Sequence, residues 1–219
     1  MAGLRAVVFD WRGTLVTTLD ASGWVREALR RIDRDSSGAS VARVWTAITA
    51  ARGKPSRFNT PGVDSDRALH REVYLGVFAD AGLDPELAEA LYAVESDAAH
   101  NPFAVDAAPT MRALADRGRK IGVLSDIHFD LRPAFAAAGL EGLVDVFVLS
   151  YEYGMQKPDP AIFRATLDGL GTDAGQTLMV GDRASHDGAA VRVGMPVLLV
   201  PPLVHVTDRR LHHVDALTV

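Results

Sequence analysis

The chain has 219 residues, enough for a full hydrophobic core in one domain or in a domain carrying an insertion. A hydrophobic fraction of 48% and a charged fraction of 23% are those of an ordinary soluble protein, and a net charge of -5 without a basic arm argues against nucleic acid as a partner. No stretch approaches the roughly 20 apolar residues that span a bilayer, the first residues lack the regions of a signal peptide, and cysteine is absent. These features exclude a disulfide framework and a thiolate metal site and lead to the expectation of a cytoplasmic protein with no membrane partner.

The first predicted element is a short strand, Val7 to Phe9, which stops at Asp10 and gives way to Trp11, Arg12, Gly13 and Thr14. A carboxylate therefore sits at the carboxyl end of a buried strand, where open α/β sheets bind ligands. Gly13 allows close backbone approach, and Thr14 offers a hydroxyl and a backbone donor. Asp10 is the candidate nucleophile; a strand-end aspartate that merely caps a turn is the alternative.

Residues 19–101 read as helices without a strand. Trp24, Ala28, Leu29 and Ile32 share one helical face, and Val41, Val44, Trp45 and Ile48 another. The loop ARGKPSRFNTPG interrupts the periodicity, Asp66 or Ser65 caps the next helix, and Asp84 with Pro85 and Glu86 opens a further one. Arg52, Lys54 and Arg57 make the loop basic, so it either grips an anionic group or is simply solvated.

From Asp106 the pattern alternates. A helix from Pro109 to near Gly118 precedes the strand KIGVLSD, a helix around Leu131–Ala138 precedes VDVFVLS, the helix Pro160–Leu170 precedes TLMVGD, and Ser185–Val193 precedes PVLLVPP. Short apolar strands separated by helices specify a parallel sheet covered on both faces. The expected fold is therefore α/β, a doubly wound parallel sheet in residues 1–18 and 102–219 with an α-helical insertion at 19–101. His205, His212 and His213 lie in a polar final segment without a second ligand cluster and read as solvated.

The motifs in order resemble those of the haloacid dehalogenase (HAD) superfamily. Asp10, Gly13 and Thr14 match its DxDGT opening, Ser125 ends the second motif strand, SxExGxxKPDPxIF at Ser150–Phe163 presents Lys157, and GDRASHD presents Asp182 and Asp187. The resemblance implies a Rossmann-like core with a helical cap after the first strand. It further implies that Asp10 attacks phosphorus to form a covalent intermediate, that Ser125, Thr14 and Lys157 hold the phosphoryl group, and that Lys157 offsets its charge. By the same resemblance Mg2+ is the cofactor, with Asp10, the Arg12 carbonyl and Asp182 as ligands and Asp187 near or in the shell; Asp187 as a helix cap is the alternative. The implied partner is a small phosphorylated metabolite.

The departure is Arg12, which stands where family phosphatases carry an acid–base aspartate. Its guanidinium stays protonated and cannot take over that role. Three readings stay open on sequence. Arg12 turns aside or pairs with a carboxylate while phosphatase chemistry continues, with His128 or His186 as substitute base. Alternatively, the DWxGT form resembles phosphonoacetaldehyde hydrolases, and Lys54, the one lysine of the helical segment, forms a Schiff base. Finally, the fold is kept as a binding or regulatory module.

Overall fold

A computed structural model describes residues 3–217. Five parallel strands form one sheet: β1 (Ala6–Phe9), β2 (Lys120–Ser125), β3 (Val146–Leu149), β4 (Thr177–Gly181) and β5 (Val197–Leu199), in the order β3-β2-β1-β4-β5. The apolar run at residues 7–9 lies at the centre, with Ala6 in register with Lys120 on one side and Thr177 on the other. Alternation assigns the two faces. Val7, Phe9, Ile121, Val123, Leu178 and Val180 enter one core, while Ala6, Val8, Leu124, Val148 and Met179 enter the other. Each large apolar side chain taken from water contributes about 1.5–3 kcal/mol, so a strand apolar on both sides is stable only with helices over both faces.

The helices supply that cover. The first face receives α5 (Ala107–Asp116) through Met111 and Leu114, α6 (Arg132–Ala137) through Phe135, and α9 (His212–Leu217) through Val214. The second receives α8 (Pro160–Leu170) through Ile162, Phe163 and Leu170, after the single turn α7 (Ser150–Tyr153) that follows β3. The segment expected as a helix over 185–193 is a 3-10 helix at Asp187–Val193. Gly188 and the β-branched Val191 and Val193 weaken an α-helix there, and the Asp187 carboxylate is already bonded to the Arg183 N–H at 2.9 Å. The final segment is less polar in effect than its sequence suggests, because Leu211 and Val214 are buried while His205, His212 and His213 remain exposed.

Between β1 and β2 the chain forms α1 (Ala21–Arg31), α2 (Gly38–Ala51), α3 (Arg67–Asp80) and α4 (Pro85–Glu95). They enclose an apolar cluster of their own that includes Val25, Leu29, Ile48, Phe78 and Leu91. The starts follow capping chemistry. Asp66 accepts from the N–H groups of Ala68 and Leu69 at 2.7 and 3.0 Å, and Asp84 accepts from Leu87 with Pro85 in the first turn. The helical insertion touches the sheet layer where the His70 ring of α3 stacks on His128 at 3.4 Å. Nearby, Arg67 Nε donates to the His128 carbonyl at 2.9 Å. Among the described residues no helix is long and apolar enough to cross a membrane.

Candidate active site

The carboxyl ends of β1, β2 and β4 bring the sequence-predicted residues together. β1 ends as the Asp10 N–H donates to the Val180 carbonyl at 2.9 Å, which fixes the Asp10 side chain above the sheet edge. The next turn needs glycine: Gly13 has φ +84°, and a Cβ there would lie 2.6–2.8 Å from the Asp182 carboxylate. Gly181 is equally constrained, since a Cβ would meet Asp187 at 2.2 Å. Both glycines exist so that two carboxylates can close on the first motif.

Lys157 is wholly buried, and its ammonium donates to Asp10 Oδ1 and to Asp187 Oδ1, each at 2.6 Å. Asp187 is thereby committed to Lys157 through one oxygen and to the Arg183 N–H through the other, and it opens the 3-10 helix rather than capping it. The arrangement sets the charge states. Burial pushes Asp10 up to about 6, with Lys157 pulling it down and Asp187 pushing it up. Burial would lower Lys157, but Asp10, Asp126 and Asp187 together hold it above the ordinary ammonium range. Asp182 is raised by burial and by Asp187.

Oxygen atoms of Asp10, Asp182 and Asp187 all lie within 4.8 Å of one another. One ammonium serves three carboxylates, and burial, with Asp187 adding to it, raises Asp10 and Asp182. A hard divalent cation with oxygen preference fits that donor set and would relieve the excess negative charge. Asp64, His70 and His128 form a second close group. There the two imidazoles are stacked at an interplanar angle of 16°, so their in-plane lone pairs run side by side instead of converging.

A cleft of about 560 Å³ opens above these groups, with Asp10, Arg12, Ser125 and Asp126 on its floor side and Asp64 and Glu95 contributed by the insertion. Ser125 belongs to that lining. Thr14 and Lys157 are both buried and lie outside that lining, next to Asp10. The Thr14 hydroxyl donates to Asp10 Oδ2 at 3.2 Å and reaches Asp182 Oδ1 at 3.4 Å, and its N–H is bonded to the Trp11 carbonyl.

Arg12 does not point at Asp10. Its guanidinium donates to Glu95 Oε1 at 2.5 Å and to the Glu95 carbonyl at 2.9 Å at the end of α4. Burial would lower its pKa, but Glu95 keeps the group charged. Pairing with a carboxylate is thus what the structure shows. The substitute bases fare worse. His128 is pulled down to about 2 by burial and bonds to Ser96 Oγ at 2.8 Å, His186 is lowered by burial, and neither lines the cleft. Lys54 is exposed and outside the cleft, and Trp11 is a core residue packed on Phe103 and Phe135 at 5.1 Å, so the phosphonate-type features do not meet. The basic loop also fails to converge, since Arg52 lies over Trp45 and Arg57 pairs with Asp80.

Three further residues brace the site. Asp126 accepts from the Lys157 N–H at 2.9 Å and so locks the loop that carries the lysine. Arg183 lines the cleft and faces Asp126 at 3.5 Å. Arg210, from the final segment, donates to the carbonyls of Gly13 and Thr14 at 3.0 and 2.5 Å, while Asp106 receives the N–H groups of Arg210 and Leu211. For Asp126 and Arg183 adjacency to a motif was the available signal; for Arg210, nearly 200 positions from its partners, there was none.

Residues 4–194 match the family model described as haloacid dehalogenase-like hydrolase. The chain is 28% identical over 211 residues to a phosphoglycolate phosphatase of Rhodospirillum rubrum, covering 90% of this chain and 79% of that one. Among solved structures it resembles a HAD phosphatase from Thermococcus onnurineus at 25% identity and TM-score 0.60, over 90% of this chain and 86% of that one. It is also similar to a 2-haloacid dehalogenase from Pseudomonas syringae at 25% identity and TM-score 0.62, with the same two coverages.

Proposed function

The chain belongs to the haloacid dehalogenase-like hydrolases, and from that membership we propose that it is a magnesium-dependent phosphatase of a small phosphorylated metabolite. The observation that carries the reading is the buried Lys157 ammonium held 2.6 Å from both Asp10 and Asp187 beneath an open cleft. Fold maintenance alone gives no reason to bury two carboxylates against one lysine with a third beside them, because such a cluster is costly to desolvate. The phosphatase name of the Rhodospirillum rubrum relative, matched along most of both chains, agrees with it.

In this proposal Asp10 Oδ2 attacks phosphorus in line, while Lys157 on Oδ1 keeps the carboxylate ionised and oriented. Ser125 donates its hydroxyl to a phosphoryl oxygen. Asp10, Asp182 and the Arg12 carbonyl, with Asp187 beside them, would hold magnesium, which would supply positive charge at the transferring group. Asp126 and Arg210 hold the lysine loop and the Gly13–Thr14 turn in register. Residues 1–18 and 102–219 act as the catalytic core and 19–101 as a cap that selects substrate and excludes water on closing.

Phosphate release from a panel of phosphomonoesters with magnesium tests the proposal. Turnover is expected that disappears on chelation and falls by on the order of 10³-fold or more in Asp10→Asn. Release that survives Asp10→Asn undiminished would defeat the assignment of the nucleophile, and absence of release from every ester would defeat the phosphatase reading.

A further inference from the structure

With Arg12 tied to Glu95, the group that moves protons at the leaving oxygen has to come from another wall of the cleft. The carboxyl and phenol groups on those walls besides Asp10 are Asp20, Asp64, Tyr74, Glu95 and Asp126. Four of them are already committed. Glu95 is neutralised by Arg12 at 2.5 Å, and Asp126 receives the Lys157 N–H at 2.9 Å and faces Arg183. Asp20 caps α1 by accepting from the Gly23 N–H at 2.6 Å. Burial carries the Tyr74 phenol well above 10, out of reach of proton exchange near neutrality.

Asp64 differs from all four. It lies in the short turn Val63–Ser65 of the insertion, and its backbone is pinned to the sheet edge, where Ser150 Oγ donates to the Asp64 carbonyl at 2.5 Å. The same Oγ accepts the Ile127 N–H at 2.8 Å, so the turn is tied to the chain leaving β2. Among the described residues its carboxylate is paired with no lysine or arginine within 4 Å; the nitrogen found there is His70 Nε2, 3.9 Å from Oδ1, on an imidazole that burial keeps neutral by lowering it to about 3.

We propose that Asp64, carried on the helical insertion and anchored to the sheet edge, is the acid–base group that replaces the carboxyl missing at Arg12. This rests on the phosphatase reading above. Asp64 in its acid form gives its proton to the leaving-group oxygen as the bond from that oxygen to phosphorus breaks and the bond from Asp10 to phosphorus forms. The products are the alcohol, the aspartyl phosphate at Asp10 and the Asp64 carboxylate. Asp64 then takes a proton from water as the water oxygen bonds to phosphorus and the Asp10 oxygen departs with its electron pair, which yields inorganic phosphate and restores both side chains. The surroundings suit a group used in both directions. Burial, with Asp126, lifts Asp64 to about 6, against the pull of Arg12 and Arg183 and with a further push from Glu95.

The test exploits the leaving group. An alkyl phosphate such as 2-phosphoglycolate needs a proton to release its alkoxide, whereas p-nitrophenyl phosphate releases a stable phenolate unaided. In rapid-quench experiments with magnesium, Asp64→Asn is expected to slow the first-turnover release of alcohol from the alkyl ester by about 10²–10⁴-fold. Nitrophenolate release should slow less than tenfold, with phosphorylated enzyme accumulating because the second step has lost its base. Equal slowing of both first turnovers, or no slowing of the alkyl ester, would overturn the role of Asp64. A wild-type enzyme that releases nothing from either ester would instead overturn the phosphatase reading itself.

Discussion

Lys157 shows how a single residue can be legible in type and illegible in position. Its motif marks it as a cation for the site, but only the packed chain shows it fully buried against two carboxylates. Removing one partner of such a group leaves uncompensated buried charge, which costs about 3–5 kcal/mol. Lys157→Met, similar in length, is therefore expected to lower the urea unfolding free energy at pH 7 by that amount. The deficit should shrink toward pH 5, because Asp10, already raised by burial, can then take a proton in the folded state. A stability equal to wild type at pH 7 would mean that the carboxylates relax apart without the ammonium. Arg12 gives the opposite lesson. Its identity signalled the loss of proton transfer, but only the position of Glu95 shows where the guanidinium goes.

At the scale of elements, α8 is the clearest case of sequence dictating structure. Asp159 accepts from the Ala161 N–H at 2.8 Å, Pro160 occupies the first turn, and the helix ends at Gly171 in the left-handed region. These local signals place the helix immediately after Lys157. Asp159→Ala is expected to cost about 1 kcal/mol, read as a lower urea midpoint with unchanged slope; no change would show that the proline and the packing of Ile162 and Phe163 suffice. The strands were equally visible as short apolar runs bounded by turns. Their order was not, because each is apolar on both faces and the runs carry no mark of which neighbour they pair with. The 187–193 segment defeated the periodicity argument for a related reason. Its backbone follows the side-chain bond from Asp187 to Arg183, which no apolar pattern encodes.

The whole molecule depends on the contact between the helical insertion and the sheet layer, where His70 and His128 stack and both are held neutral. Burial lowers His70 to about 3 and His128 to about 2, with Arg12 acting on both and with His70 and Arg67 adding to the effect on His128. A folded-state value below the unfolded value of about 6.5 means that stability is present above pH 6.5 and is lost as the pH falls below it. Each imidazole contributes about 1.4 kcal/mol per pH unit in that range. Asp10 and Asp64, raised in the folded state, work in the other direction between about pH 6 and 4, so wild type alone would show a blunted trend. His70→Phe, which keeps the stack, isolates the imidazole. Between pH 7.5 and 5.5 its stability relative to wild type is expected to improve by about 1.4 kcal/mol, and an unchanged difference would place the His70 titration close to its unfolded value.

By itself the sequence determined the class of fold, the helical insertion after the first strand and the residues of the four motifs, because period, capping and turn chemistry are local and the motifs keep their chemistry at fixed spacing. Asp10, Ser125, Lys157, Asp182 and Asp187 were all nameable on that basis. Tertiary structure decided what depends on approach across long separations. It set Arg12 against Glu95, fastened the Gly13–Thr14 turn with Arg210, and placed Asp64 on the wall of the cleft. Each of those outcomes is fixed by which buried charge finds which partner, and burial is a property of the packed molecule that no local window of sequence contains.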